Sequence, residues 1–258
     1  MAKKWAKFPH ADKAYVYDGL NLKQHWARLH RGDCEPFPKD AGGVEAWRLY
    51  HAGNFESAVD AGTKARGAAM NAAIKAQSIY ANYLEKQEKA KLALFEEAAA
   101  WASERRTAEP KDANAHYLYA YALGRYSQGI SVAKALAQGF GGKIKDALTL
   151  ALKLAPSHAD AHTAFGAYQA EVINKVGGLV AGLTYGAKKE SALEHYQKAL
   201  KLNPDSAIAR IEYANGLILL FGKEKIDEAT KVYEQAAKCK PADAMERLDV
   251  ELARSELE

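Results

Sequence analysis

Apolar residues recur at helical spacing along most of the chain. "VEAWRLYHAG" (44–53), "AAMNAAIKAQSIYANYL" (68–84) and "EKAKLALFEEAAAWASERR" (88–106) each place Ala, Leu or an aromatic every three or four residues, the period of a helix with one buried face. "KIKDALTLALKLAP", "ESALEHYQKALKLNP" and "DEATKVYEQAAKCKP" obey the same rule and each ends on a proline. No stretch sustains the two-residue alternation of β-branched side chains that a half-buried strand needs. The pattern predicts an all-α chain.

A phrase that begins at these prolines repeats. "PKDANAHYLYA" from Pro110 returns as "PSHADAHTAFG" from Pro156 and "PDSAIARIEYA" from Pro204. The copies share Ala at +3 and +5, His, His and Arg at +6 (His116, His162, Arg210), an aromatic at +9, and Ala or Gly at +10 (Ala120, Gly166, Ala214). A phrase returning at intervals of tens of residues marks a repeat architecture. Each proline ends one helix and suits the turn into the next. Asp112, Ser157 and Asp205 are placed to cap or begin the helix after the turn. The small residue at +10 permits close helix approach beside the +9 aromatic.

The string "SALEHYQKALKLNP" resembles the second helix of a tetratricopeptide repeat, through Ala192, Tyr196, Ala199 and Pro204. Ala229, Tyr233, Ala236 and Pro241 keep the same spacing, and Leu148, Ala151 and Pro156 keep its second half. The resemblance implies a right-handed superhelix of helix-turn-helix repeats over residues 41–241, with an aromatic-rich N-terminal cap (1–40) and a C-terminal capping helix (242–258). Two departures stand out. "SQGISVAKALAQGFGGK" (127–143) and "EVINKVGGLVAGLTYGAKK" (171–189) replace a three-residue turn with glycine-rich, apolar insertions. A His in the first helix with such an insertion is similar to the divergent group that includes the T component of TRAP transporters and the regulators of microtubule dynamics. That likeness implies protein binding, with association with a solute receptor or an apolar small ligand as the transport-accessory alternative.

Composition removes other classes. A net charge of +4 without a dense Lys/Arg block gives no nucleic-acid footprint. Cys34 and Cys239 stand far apart and outside any CxxC pattern, so neither a disulfide framework nor a zinc finger is expected. The apolar run from Val172 to Tyr185 is far short of the ~20 residues a membrane span needs; it is expected to bury in part and to offer the remainder to a partner or to a second copy in a homo-oligomer. The start shows no signal-peptide core and reads as cytoplasmic, or as periplasmic if a leader preceded it.

Candidate chemistry is thin. His158 and His162 share helical spacing but lack a third ligand, so no metal is expected. "GFGGK" (139–143) misses the phosphate-loop pattern at two positions. "RGD" (31–33) reads as a capped turn. No nucleophile or carboxylate pair converges, so neither a catalytic residue nor a cofactor is expected. Counted from the phrase, the residues expected to line the concave face and grip an extended peptide are Asn114, Tyr117 and Tyr121, then Asp160 and Thr163, then Ile211 and Asn215.

Overall fold

Each proline phrase opens a helix. The computed structural model describes residues 5–258, so the first four residues of the 1–40 segment lie outside it. A short 3₁₀ turn (Lys13–Tyr15) and α1 (Gly19–Leu29) precede a first helix pair, α2 (Ala41–His51) and α3 (Phe55–Ala65), and a second, α4 (Met70–Tyr83) and α5 (Glu88–Ala108). The third pair is α6 (Ala113–Ile130) and α8 (Phe140–Leu154), with the short α7 (Val132–Ala137) between them. The fourth is α9 (Ala159–Val176) and α11 (Lys189–Leu202), separated by the one-turn α10 (Gly178–Val180) and a π-turn (Ala181–Tyr185). A fifth, α12 (Ala207–Phe221) and α13 (Ile226–Ala237), leads to α14 (Ala244–Ser255). The result is a tetratricopeptide-like superhelix.

The cap lies at +2 in every phrase. Asp112 accepts from Ala115 N at 3.1 Å, His158 Nδ1 from Ala161 N at 3.1 Å, and Ser206 from Ala209 N at 3.1 Å. The assignment to Ser157 and Asp205 is therefore one residue early, because the turn after the proline takes two residues before an oxygen or nitrogen can face the open N–H groups. At +6, His116 and His162 each direct Nε2 at the carbonyl of their own phrase's proline, at 2.9 and 3.1 Å. Arg210 instead donates to Ser206 O at 2.9 Å.

At +10, Ala120, Gly166 and Ala214 are all buried. Gly166 shows why a small residue is needed: a Cβ there would stand 2.9 Å from the Tyr196 ring of α11. Tyr196 also packs on Gly216 of α12, so one buried aromatic locks α9, α11 and α12 together.

The ends depart most from an open solenoid. Phe8, Tyr15, Tyr17, Leu22, Trp26 and Leu29 pack on Trp47, Tyr50 and Phe55 of the first pair, and the same cluster takes in Ala244 and Leu248 of α14. Each large side chain here removes enough apolar surface from water to contribute ~1.5–3 kcal/mol. The 1–40 segment thus packs on the first helices and also continues across the inner face to the last ones. α14 packs on α12 and α13 through Val250 and Ala253 and also reaches the first pair through Ala244 and Leu248. Tyr17 donates to Ala242 O at 2.7 Å, and Arg28 forms a two-bond fork with Glu246 at 2.6 and 2.9 Å. First and last helices are joined, and the superhelix is closed.

Gly166→Leu is expected to overpack the Tyr196 contact and cost ~1–3 kcal/mol. In a chain of this size that is a melting midpoint lower by roughly 2–10 °C, readable by circular dichroism.

Candidate functional site

Closure turns the concave face into a cavity of about 160 Å³, room for about five waters. The helices that open the repeats build its wall. α4 presents Lys75, Ile79 and Tyr83 at four-residue spacing, α6 presents Tyr117, Tyr121 and Arg125 at the same spacing, and α9 adds Asp160, Thr163 and Tyr168. Ile208 and Glu212 of α12 and Met245 and Asp249 of α14 complete it, with Leu136 of the first insertion and Ile144 just after it.

Four of the residues expected on the concave face, Tyr117, Tyr121, Asp160 and Thr163, line this cavity. Three do not. Asn114 is locked between Glu35 (2.7 Å) and His158 (2.9 Å). Ile211 is buried with Val250 and Ala253 of α14, and Asn215 accepts from the Tyr233 hydroxyl. The reason is rotational: α14 occupies the place of the next repeat's first helix, so the α12 row ending at Asn215 packs on helices and the row Ile208–Glu212 faces the cavity. α14 thus lies along the strip where the next repeat's first helix would stand, beside the row Ile208–Glu212.

Behind the cavity runs the loop "RGDCE" (31–35), which crosses the starts of four repeat helices. Arg31 pairs with Asp205 at 2.7 Å. Gly32 O accepts from Asp160 N at 3.0 Å, and a side chain at Gly32 would collide with the Asp160 carboxylate. Asp33, only 3% exposed, accepts from Lys75 Nζ at 2.5 Å and faces His30 Nδ1 at 2.8 Å. Glu35 accepts from Asn71 (3.2 Å) and Asn114 (2.7 Å). The tripeptide is thus a clasp, with Gly32 and Asp33 buried and Arg31 at the surface.

The clasp continues into α14. His30 Nε2 meets His51 Nε2 at 3.2 Å, and His51 Nδ1 meets Asp243 at 2.7 Å. Burial pushes the pKa of His30 down to about 4, and Lys75 supplies the cation that the buried Asp33 needs, the condition under which buried charge is tolerable.

His158 is held neutral by different means. Its Nδ1 must stay bare to accept the α9 cap bond, so the proton sits on Nε2 and goes to Asn114 Oδ1; burial pushes the pKa down to about 4. His162 points elsewhere, between Pro156 O and His195 Nδ1 (2.8 Å). Among the described residues no group of three or more His, Cys, Asp or Glu could hold a metal ion.

Lys75, Arg125, Glu212 and Asp249 escape a reading from the phrase alone. The signal available was a charge at the buried period of an apolar run, as in "AAIKAQ" around Lys75 and "RLDVEL" around Asp249.

The insertions meet on one edge. Gln128 reaches Glu171 at 3.5 Å, and the Tyr185 ring closes over Gly141. Leu179 is 78% and Leu183 82% exposed, with Val180 beside them half exposed. No helix among the described residues is long and apolar enough to cross a membrane.

Residues 60–257 match the family described as regulator of microtubule dynamics protein 1-3. No curated protein is a sequence match to the chain. Among solved structures, the fold is similar to a thermophilic TPR protein of Thermus thermophilus, with a TM-score of 0.57 at 17% identity, over 83% of this chain and 97% of that one.

Two outcomes are expected of the buried network. Lys75→Met strands Asp33 without its cation and is expected to cost ~3–5 kcal/mol in urea denaturation, with much of the loss restored when Asp33→Asn is added. The neutral His158 contributes stability that is complete above the ordinary histidine pKa of 6.5 and is lost as pH falls from 6.5 to about 4, because the unfolded chain takes up the proton first. Replacing it by Asn, a capping residue that does not titrate, is expected to flatten the fall in unfolding free energy across that window.

Proposed function

The chain belongs to the regulator of microtubule dynamics protein 1-3 family, and we propose that it is a non-catalytic interaction module whose partner protein docks on the edge built by the two insertions. The supporting observation is the exposed trio Leu179, Val180 and Leu183 within five residues. Scattered single apolar side chains are ordinary on a protein surface, whereas a contiguous group marks a contact. Exposed Lys175 and Lys188 flank the trio, and exposed Lys134 and Lys143 stand on the neighbouring insertion. A partner with an apolar groove and an acidic rim complements that arrangement. The tetratricopeptide fold suits such work, since its helices hold the insertions at fixed positions on a rigid frame.

A second reading is favoured by the cavity. Its wall is mostly apolar, with a few polar groups at defined positions, the usual make-up of a small-ligand site. A ligand-binding role for the interior is compatible with a partner on the edge, because the first insertion contributes to both.

Leu179 and Leu183 make no core contacts, so the double change Leu179→Ser with Leu183→Ser is expected to leave helicity and melting midpoint unchanged while abolishing retention of the partner in affinity capture from the native host. Sedimentation of parent and variant at matched concentrations tests a second copy as the occupant. A parent that self-associates through the edge, with a monomeric variant, would replace the partner protein by a homo-oligomer. A variant that still captures every partner of the parent would refute the assignment of this surface.

A further inference from the structure

Several carboxylates around the two cavities have a cation of their own: Asp33 has Lys75 at 2.5 Å, Glu246 has Arg28 at 2.6 Å and Glu212 has Arg125 at 2.7 Å, while Glu171, on the wall beside the insertions, meets Gln128. Asp249 is 2% exposed, and its hydrogen bond comes from the Tyr83 hydroxyl, a neutral donor. Asp160 lies 4.0 Å from Lys75, whose ammonium is already committed to Asp33.

Asp160 and Asp249 stand between the main cavity and a smaller one of about 20 Å³, which shares Lys75, Ile208 and Met245 with it. Asn203 lines the smaller cavity with its side chain buried, and its Oδ1 accepts no hydrogen bond from the described residues. Two carboxylates and an unused amide oxygen thus converge from α9, α14 and the turn before α12. All are acceptors, so the group that completes the set is one that brings N–H donors and positive charge. The rings of Tyr117 and Tyr121 line the wall beside them, and an aromatic face attracts a cation. Further along, Ile79, Leu118 and Leu148 offer only hydrocarbon.

We propose that the Asp160–Asp249 end of the cavity binds an organic ammonium group, carried on an apolar body that occupies the remainder. This rests on the reading of the cavity as a ligand site. The two carboxylates register the need for a cation: burial pushes the pKa of Asp249 up to about 8 and that of Asp160 up to about 6, and an ammonium placed between them supplies the opposite charge that Asp249 lacks and that Asp160 shares with Asp33 through Lys75.

Isothermal titration at pH 8 with n-octylamine, 1-octanol and octanoate separates the proposal from the reading beneath it. Octylamine is expected to bind at least ~10-fold more tightly than octanol, and octanoate more weakly than either, because it brings a like charge to the carboxylates. In Asp249→Asn, which keeps an acceptor for Tyr83, the advantage of the amine over the alcohol is expected to shrink toward unity with octanol affinity unchanged. Asp160→Asn supplies the same test should the first variant lose its melting transition. If octanol binds as tightly as octylamine, or the advantage survives both variants, the ammonium site is refuted while the cavity stands. If no probe binds, the ligand-site reading falls with it.

Discussion

The pairing of Asp33 with Lys75 is the contact on which the closed form depends. Both side chains are buried, and an ion removed from water without a partner costs several kcal/mol. Lys75 sits on the inner face of α4, and Asp33 can reach it only if the loop after α1 crosses the starts of the repeat helices. Once there, the loop's other groups have fixed stations: Gly32 against Asp160, Glu35 between Asn71 and Asn114, His30 against His51. Each station belongs to a different repeat. The network is satisfied only when all of them have arrived, which makes closure a cooperative property of the chain rather than of any one pair of helices.

That constraint explains why an array that is usually open at both ends is shut here. In a solenoid each unit touches its neighbours, and stability grows along the array. Here Trp26, Trp47, Tyr50 and Leu248, from the beginning and end of the chain, share one apolar cluster. α14 gains burial on α12 and on α2, and it accepts the His51 and Tyr83 contacts through Asp243 and Asp249. A helix that would seal only the last repeat thereby becomes the inner wall of the cavity.

What could be read in the sequence divides along the same line. The proline phrase, Tyr196 and the small residues at +10 are local signals, repeated in register, and they specify the repeat helices because neighbouring units impose the same contacts on each copy. The cap rule was visible as well, although His158 was hidden because imidazole is an unusual cap and its role requires a neutral ring. The cavity was only half legible. Tyr117, Tyr121, Asp160 and Thr163 line the cavity, whereas Ile211 is buried on α14, outside the repeat, and Asn215 is taken up by Tyr233 of α13, 18 residues away in the same pair. Asp33 and Glu35 carried no periodic mark at all, since their partners come from elements up to 42 residues apart for Asp33 and 79 for Glu35; Lys75 was marked only as a charge in an apolar run, without its partner.

Closure also decides where the molecule can act. An open tetratricopeptide groove offers its concave face to an extended chain; here Met245 and Asp249 of α14 line that face. The proposed docking edge lies outward, on the glycine-rich insertions that interrupt the third and fourth repeats, and the proposed ligand site inward, at the cavity. The two are coupled through the first insertion, because Leu136 and Ile144 form part of the cavity wall while the same segment meets Glu171 and Tyr185 of the second. The first insertion thus touches both the cavity, through Leu136, and the insertion that carries the exposed Leu179 and Leu183, through Gln128 and Gly141.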